Sequence, residues 1–175
     1  MDLGLQGRAC AVTGASRGIG RDVAERLCAE GASVLMIARG EEQLATAVEA
    51  AARSGGQALA LALDVTDPMA GERVAAAATE HFGKLDVLVN GAGEATWRDS
   101  IADVPDADWH AAWELNVMAP MRLMRAATPA MRERGWGRVV NVSSTAGKRP
   151  SARLPEYSVA KAAMLSLSRL YADEC

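Results

Sequence analysis

A phenol and an ammonium stand four residues apart in Tyr157-Ser158-Val159-Ala160-Lys161, a spacing that puts both on one face of a helix. An isolated tyrosine has a pKa near 10 and exchanges protons poorly at neutral pH. Bringing it to about 7 takes roughly 4 kcal/mol of preferential stabilisation of the phenolate. A desolvated Lys161 supplies part of that. Taken alone, the same spacing also describes a solvated surface pair. It is not alone: Ser143 and Ser144 close an apolar run, and Tyr157 follows Ser144 by 13 residues.

A second group of residues has the chemistry of an anion cradle. Thr13-Gly14-Ala15-Ser16-Arg17-Gly18-Ile19-Gly20 follows the apolar run Ala9 to Val12 and opens a segment of helical periodicity. Gly14 and Gly18 can take backbone angles closed to other residues, so the chain can turn sharply and present bare N–H groups. Ile19, Val23 and Leu27 form one apolar column, and Gly20, Ala24 and Cys28 a column of small groups beside it. The helix start is therefore expected close against a sheet, its positive end aimed at a pyrophosphate. The glycine spacing is G-x-x-x-G-x-G, not the G-x-G-x-x-G of the common dinucleotide fingerprint.

These groups need a scaffold, and the periodicity predicts one. Arg8–Thr13, Ser33–Ala38, Ala58–Leu63, Leu85–Asn90 and Arg138–Ser143 read as strands. Gly18–Glu30, Glu41–Ser54 and Met69–Phe82 read as helices, stopped by Gly31, Gly55-Gly56 and Gly83. The strands are apolar almost throughout, as parallel strands covered on both faces should be. The repeated unit implies an α/β fold, an open, doubly wound, mostly parallel Rossmann-like sheet. Its expected strand order is 3-2-1-4-5, with a ligand at the carboxyl ends of the first and fourth strands. Asp106–Glu133 reads as one long helical region that Pro120 and Pro129 must bend or interrupt, with Asn116 just before the first of them. Trp109, Trp113, Met121 and Met124 give it an apolar face, read as core packing.

Composition bounds the class. With 175 residues, half of them apolar, the chain reads as one globular domain, residues 1–175. A net charge of -3 without a basic stripe argues against nucleic acid. No run approaches a membrane span, and Met1-Asp2-Leu3-Gly4 does not open a signal peptide. Cys10, Cys28 and Cys175 have no metal-ligand spacing, so no metal site is expected, and a reducing cytoplasm fits them best.

Taken together, Thr13–Gly20, Asn90-Gly91-Ala92-Gly93, Asn116, Ser144, Tyr157 and Lys161 resemble the short-chain dehydrogenase/reductase family of classical type, and the resemblance runs the length of the chain. It implies an oxidoreductase that interconverts a carbonyl and a secondary alcohol, a 3-oxoacyl thioester being one candidate substrate. It makes Tyr157 the general acid in reduction, aided by a positively charged nicotinamide ring. Lys161 would bind the nicotinamide ribose, Ser144 would hydrogen-bond the substrate oxygen, and Asn116 would hold a water linking Lys161 to solvent. Gly14, Ser16, Arg17, Gly18, Ile19 and Gly20 would hold the dinucleotide, with Asn90, Ala92 and Gly93 beside it. Asp64 and Val65 would meet the adenine. Ala38-Arg39 stands where an NAD enzyme carries an acid, so Arg39 and Arg17 favour NADP(H) over NAD(H).

Two departures stand out. Gly91 replaces an asparagine of the family's Asn-Asn-Ala-Gly pattern, losing an amide that braces the sheet. Members of the family also continue through further strands, whereas this sequence reaches Cys175 within the Tyr157 helix. The fifth strand, with Val139, Val140 and Val142, is then an uncovered edge. The rival expectation is a truncated dinucleotide-binding or pairing subunit without turnover. Homodimers or homotetramers are expected through the regions 106–133 and 157–173.

Overall fold

The computed structural model describes residues 3–175. Five parallel strands form one sheet: β1 (Ala9–Thr13), β2 (Ser33–Ala38), β3 (Gln57–Ala62), β4 (Val87–Asn90) and β5 (Arg138–Asn141), in the order β3-β2-β1-β4-β5. The expected architecture and strand order are both observed. The reason lies in the pleat, which sends successive side chains to opposite faces. Ala11, Leu35, Ile37 and Leu88 enter a core on one side of the sheet, and Cys10, Val12, Val34, Met36, Val87 and Val89 enter a core on the other. Both faces are covered, so the central strands carry no polar alternation.

Helices α1 (Gly18–Ala29) and α2 (Glu41–Ala52) cover the second face. Within α1 the small column Gly20, Ala24 and Cys28 is buried. The apolar column is less central than its composition suggested: Val23 and Leu27 are half-buried and Ile19 is 67% exposed. The small groups win the sheet because only they let the helix approach closely. A Cβ on Gly20 would lie 2.4 Å from the Gly14 carbonyl oxygen.

Helix α3 (Ala70–Phe82) lies on the other face, where it packs against the long helical region. That region is interrupted where the proline rule requires. Helix α4 (Asp106–Trp113) passes into a wide π turn, Glu114–Met118, before α5 (Ala119–Glu133). Pro120 lacks the N–H that would bond the carbonyl of Asn116, and the Ala119 N–H reaches back to Glu114. Pro129 lies inside α5 without ending it. Of the expected apolar face only Met124 is fully buried; Trp109 and Met121 are half-buried and Trp113 is exposed. Helix α6 (Pro155–Glu174) carries Tyr157 and Lys161. Strand β5 is an edge, and its Val140 is exposed.

The ends of β1 and β4 are locked together. The buried Thr13 hydroxyl oxygen accepts from the backbone N–H groups of Gly91 and Ala92, both at 3.1 Å. Thr13→Val keeps the shape and strands two donors, at about 1–3 kcal/mol each. We expect urea unfolding to show a loss of about 2–6 kcal/mol for Thr13→Val, and a much smaller loss for Thr13→Ser, which keeps the acceptor.

Candidate active site

A cleft of about 640 Å³ opens at the carboxyl ends of β1, β2 and β4. Parallel strands put all their carboxyl ends on one side of a sheet, and the loops that leave them diverge where the strand order reverses. At one end the chain leaves β1 through Gly14 (φ 70°) and enters α1 after Arg17, with Gly18 at φ 57°. No side chain caps α1, and no acid occupies its first turn. Helix α2 differs, with Glu41 and Glu42 in its first turn. The first N–H groups of α1 therefore keep both their donor capacity and their positive end for an anion.

Gly14, Ser16, Arg17, Gly18, Ile19 and Gly20 line this end of the cleft, with Arg39, Asp64 and Val65 beyond them. Arg39 is 70% exposed and lies 3.9 Å from Glu94 across the mouth. Asp64 accepts from the Thr66 N–H at 3.0 Å and its hydroxyl at 2.8 Å, and the backbone bond holds its carboxyl below the usual range. It thus closes a local turn while also lining the cleft.

Ala92, Gly93, Tyr157 and Lys161 line the other end. Lys161 is 5% exposed, and its Nζ donates to the Val142 carbonyl at 2.9 Å. It stands 5.6 Å from the centre of the Tyr157 ring. Burial lowers its pKa from the usual lysine value. The same turn of α6 is held from below: the Ser143 hydroxyl donates to the Lys161 carbonyl at 3.1 Å, and Gly147 abuts it so closely that a Cβ would lie 2.8 Å away.

Three expected residues stand elsewhere. Asn116 is buried, its Nδ2 donates to the Ala112 carbonyl at 3.0 Å, and it lines a neighbouring chamber of about 260 Å³. Its Oδ1 has no hydrogen-bond partner, and a Cβ added to Gly93 would lie 3.1 Å from that oxygen and 3.3 Å from Lys161 Nζ. Asn90 braces the sheet instead of lining the cleft, donating to Asn141 Oδ1 at 2.7 Å. This bond spans β4 and β5, so one sheet-bracing amide survives beside Gly91. Of the two serines, Ser143 lines the cleft. The Ser144 hydroxyl oxygen accepts from the Ala146 N–H at 3.1 Å as the cap of a short turn, Thr145–Gly147.

Sequence reasoning passed over Leu115 and Gln43, which also line the cleft. Glu94, directly after Gly93, lines it too. The buried thiols take no part: burial pushes Cys10 up to about 12 and Cys28 up to about 11, far from a reactive thiolate.

A lysine whose folded-state pKa is depressed binds fewer protons than its unfolded form just below the ordinary lysine value, so stability rises with pH through that window. We expect Lys161→Met to be more stable than the parent at pH 7 and to lose that advantage as pH climbs toward 10.5, followed by urea unfolding across pH. Parallel stability curves would contradict the buried charge.

The comparisons with known proteins agree with this geometry. A sequence profile of the short chain dehydrogenase family matches residues 8–175. A short chain dehydrogenase of Pseudocercospora fijiensis is 39% identical over 171 residues, 97% of this chain and 55% of that protein. The 3-oxoacyl-(acyl-carrier-protein) reductase FabG of Salmonella typhimurium is 35% identical over 172 residues, 98% of this chain and 69% of that protein. L-sorbose reductase of Gluconobacter frateurii, solved with NADPH and L-sorbose, superposes with a TM-score of 0.95 at 36% identity, covering 99% of this chain and 66% of that one. A xylitol dehydrogenase solved with NAD+ superposes at 0.93 with 29% identity, covering 97% of this chain and 65% of that one. The chain thus spans between about half and two thirds of the length of most of these relatives. With its parallel sheet, uncapped glycine-flanked helix start and buried lysine beside a tyrosine, the chain belongs to the short-chain dehydrogenase/reductase family.

Proposed function

We propose that the chain carries the dinucleotide site and the proton-transfer pair of an NADP(H)-preferring oxidoreductase that interconverts a carbonyl and a secondary alcohol. The observation that carries this reading is that Tyr157 and Lys161 line the same cleft as the uncapped start of α1. The N–H groups at Gly18, Ile19 and Gly20 suit a diphosphate, and Arg17 and Arg39 suit a further phosphate on the adenosine ribose. The cofactor supplies or accepts the hydride.

In the reducing direction Tyr157 gives its hydroxyl proton to the substrate oxygen as negative charge develops there, and takes it back in oxidation. Lys161 holds positive charge beside the phenol in a site of low polarity, where it acts more strongly than in water. Its bond to Val142 fixes that charge, so little reorganisation accompanies proton transfer. Ser144 and Asn116 belong to the same reading as the substrate-oxygen donor and the solvent link. The unpartnered Asn116 Oδ1 supports the second role.

Similarity to FabG supports a 3-oxoacyl thioester as substrate, and similarity to L-sorbose reductase supports a sugar carbonyl. Subunit pairing through α6 fits its exposed Val159 and Leu170. A second reading, dinucleotide binding without turnover, draws on the placement of Ser144, which caps its own turn while Ser143 is the serine that lines the cleft.

NADPH oxidation against a panel of ketones, 3-oxoacyl thioesters and ketoses tests the reading. Tyr157→Phe is expected to lower the rate by about 10²–10⁴ and leave NADPH binding intact. No turnover by either chain, with NADPH still bound, favours the second reading. Arg39→Ala is expected to weaken NADPH by about tenfold and NADH far less. NADH binding as tight as NADPH to the unaltered chain would contradict the cofactor preference.

A further inference from the structure

One buried carboxylate beside Tyr157 has no part in the site just described. Glu156 is 4% exposed, in the first turn of α6, where the helix end favours an acid. Its Oε1 accepts from Arg98 Nε at 2.7 Å, and its Oε2 has no hydrogen-bond partner. A buried carboxylate is costly unless a cation holds it in fixed geometry, and removing that cation leaves the charge exposed to the full penalty.

Arg98 holds more than Glu156. Its Nη2 donates to Asp108 Oδ2 at 2.7 Å, and its backbone N–H donates to the Arg153 carbonyl at 2.9 Å. The guanidinium therefore joins three segments: the loop that follows β4, the first turns of α4, and the entry to α6. Arg98, Asp108, Glu156 and Tyr157 all line the chamber of about 260 Å³, which shares Glu94, Leu115 and Tyr157 with the main cleft.

Neighbouring residues on a helix point about 100° apart, so gripping Glu156 sets the rotation of α6 about its axis and with it the direction of Tyr157. Below this point Lys161 is already fixed through Val142, Ser143 and Gly147. Above it the Ser158 N–H makes the first helical bond, to Leu154 at 2.8 Å, the Ser158 hydroxyl oxygen accepts from the Ser151 N–H at 3.1 Å, and Glu156 adds the side-chain tie to the loop after β4. We propose that Arg98 is a positioning residue, its fork holding Glu156 and Asp108 so that Tyr157 is locked against the loop after β4. This rests on the oxidoreductase reading above and adds a determinant of its rate. An error of about one ångström in such placement costs about a hundredfold.

The test compares the unaltered chain with Arg98→Met and Arg98→Lys, at temperatures well below each unfolding midpoint. Arg98→Met is expected to lower kcat by about 30–100-fold with the NADPH dissociation constant within about threefold, because α1 and its loop are untouched. Arg98→Lys keeps the charge but not the planar fork, so it should recover stability more than kcat. Equal loss of kcat and NADPH affinity, or no loss of kcat, overturns the proposal. Should the unaltered chain not turn over, amide exchange decides: at least tenfold faster exchange over residues 158–161 in Arg98→Met supports the clamp, and unchanged exchange there overturns it.

Discussion

Two loops can meet at the carboxyl edge of this sheet because nothing but backbone stands between them. A Cβ on Gly14 would lie 2.8 Å from the Ala92 Cα, and one on Gly91 would lie 2.7 Å from the Thr13 carbonyl oxygen. Thr13 closes the junction by accepting two N–H bonds through one buried hydroxyl. The close approach sets the separation of β1 and β4 at their ends, and that separation is the floor of the cleft. Every later feature of the site is measured from it: the start of α1 on one side, Gly93 and the Lys161 ammonium on the other.

Around that junction the charged groups follow a consistent logic. The positive end of α1 is left without an acid, so its donors face the cleft. Lys161 is buried against a backbone carbonyl instead of a carboxylate. On the proposed reading, an opposite charge in contact would weaken the field that Lys161 exerts on Tyr157. Glu156, one residue from Tyr157, is turned to Arg98 and so does not neutralise Lys161. Burying this cation without a carboxylate costs stability, and on the proposed reading that cost serves the chemistry.

Much of this was legible in the sequence, for identifiable reasons. The apolar runs of β1, β2 and β4 report two covered faces, and the repeated strand-helix unit implies the doubly wound order, so the parallel sheet could be read from the sequence. Pro120 marked the break at Asn116 because the missing N–H is a chemical fact, although its form as a π turn depends on how Glu114 and Ala119 meet. The burial of Gly20, Ala24 and Cys28 in place of the larger Ile19 column was harder to foresee. Apolarity predicts burial, but here closeness of approach decides it. Asn90 was expected beside the cofactor because it opens the motif Asn90-Gly91-Ala92-Gly93 that resembles the family's, and its pairing with Asn141 becomes visible only when β4 and β5 are side by side. The role of Arg98 was out of reach for the same reason, since Asp108 and Glu156 lie 10 and 58 residues away along the chain.

The proposed function requires a single dinucleotide to span both ends of the cleft, the start of α1 and the Tyr157–Lys161 pair on α6. Backbone amide shifts followed by NMR during an NADPH titration read both ends at once. The account predicts that Gly18, Ile19 and Gly20 shift together with Tyr157 and Lys161, at one shared midpoint. Shifts confined to one end, or two separate midpoints, would contradict it.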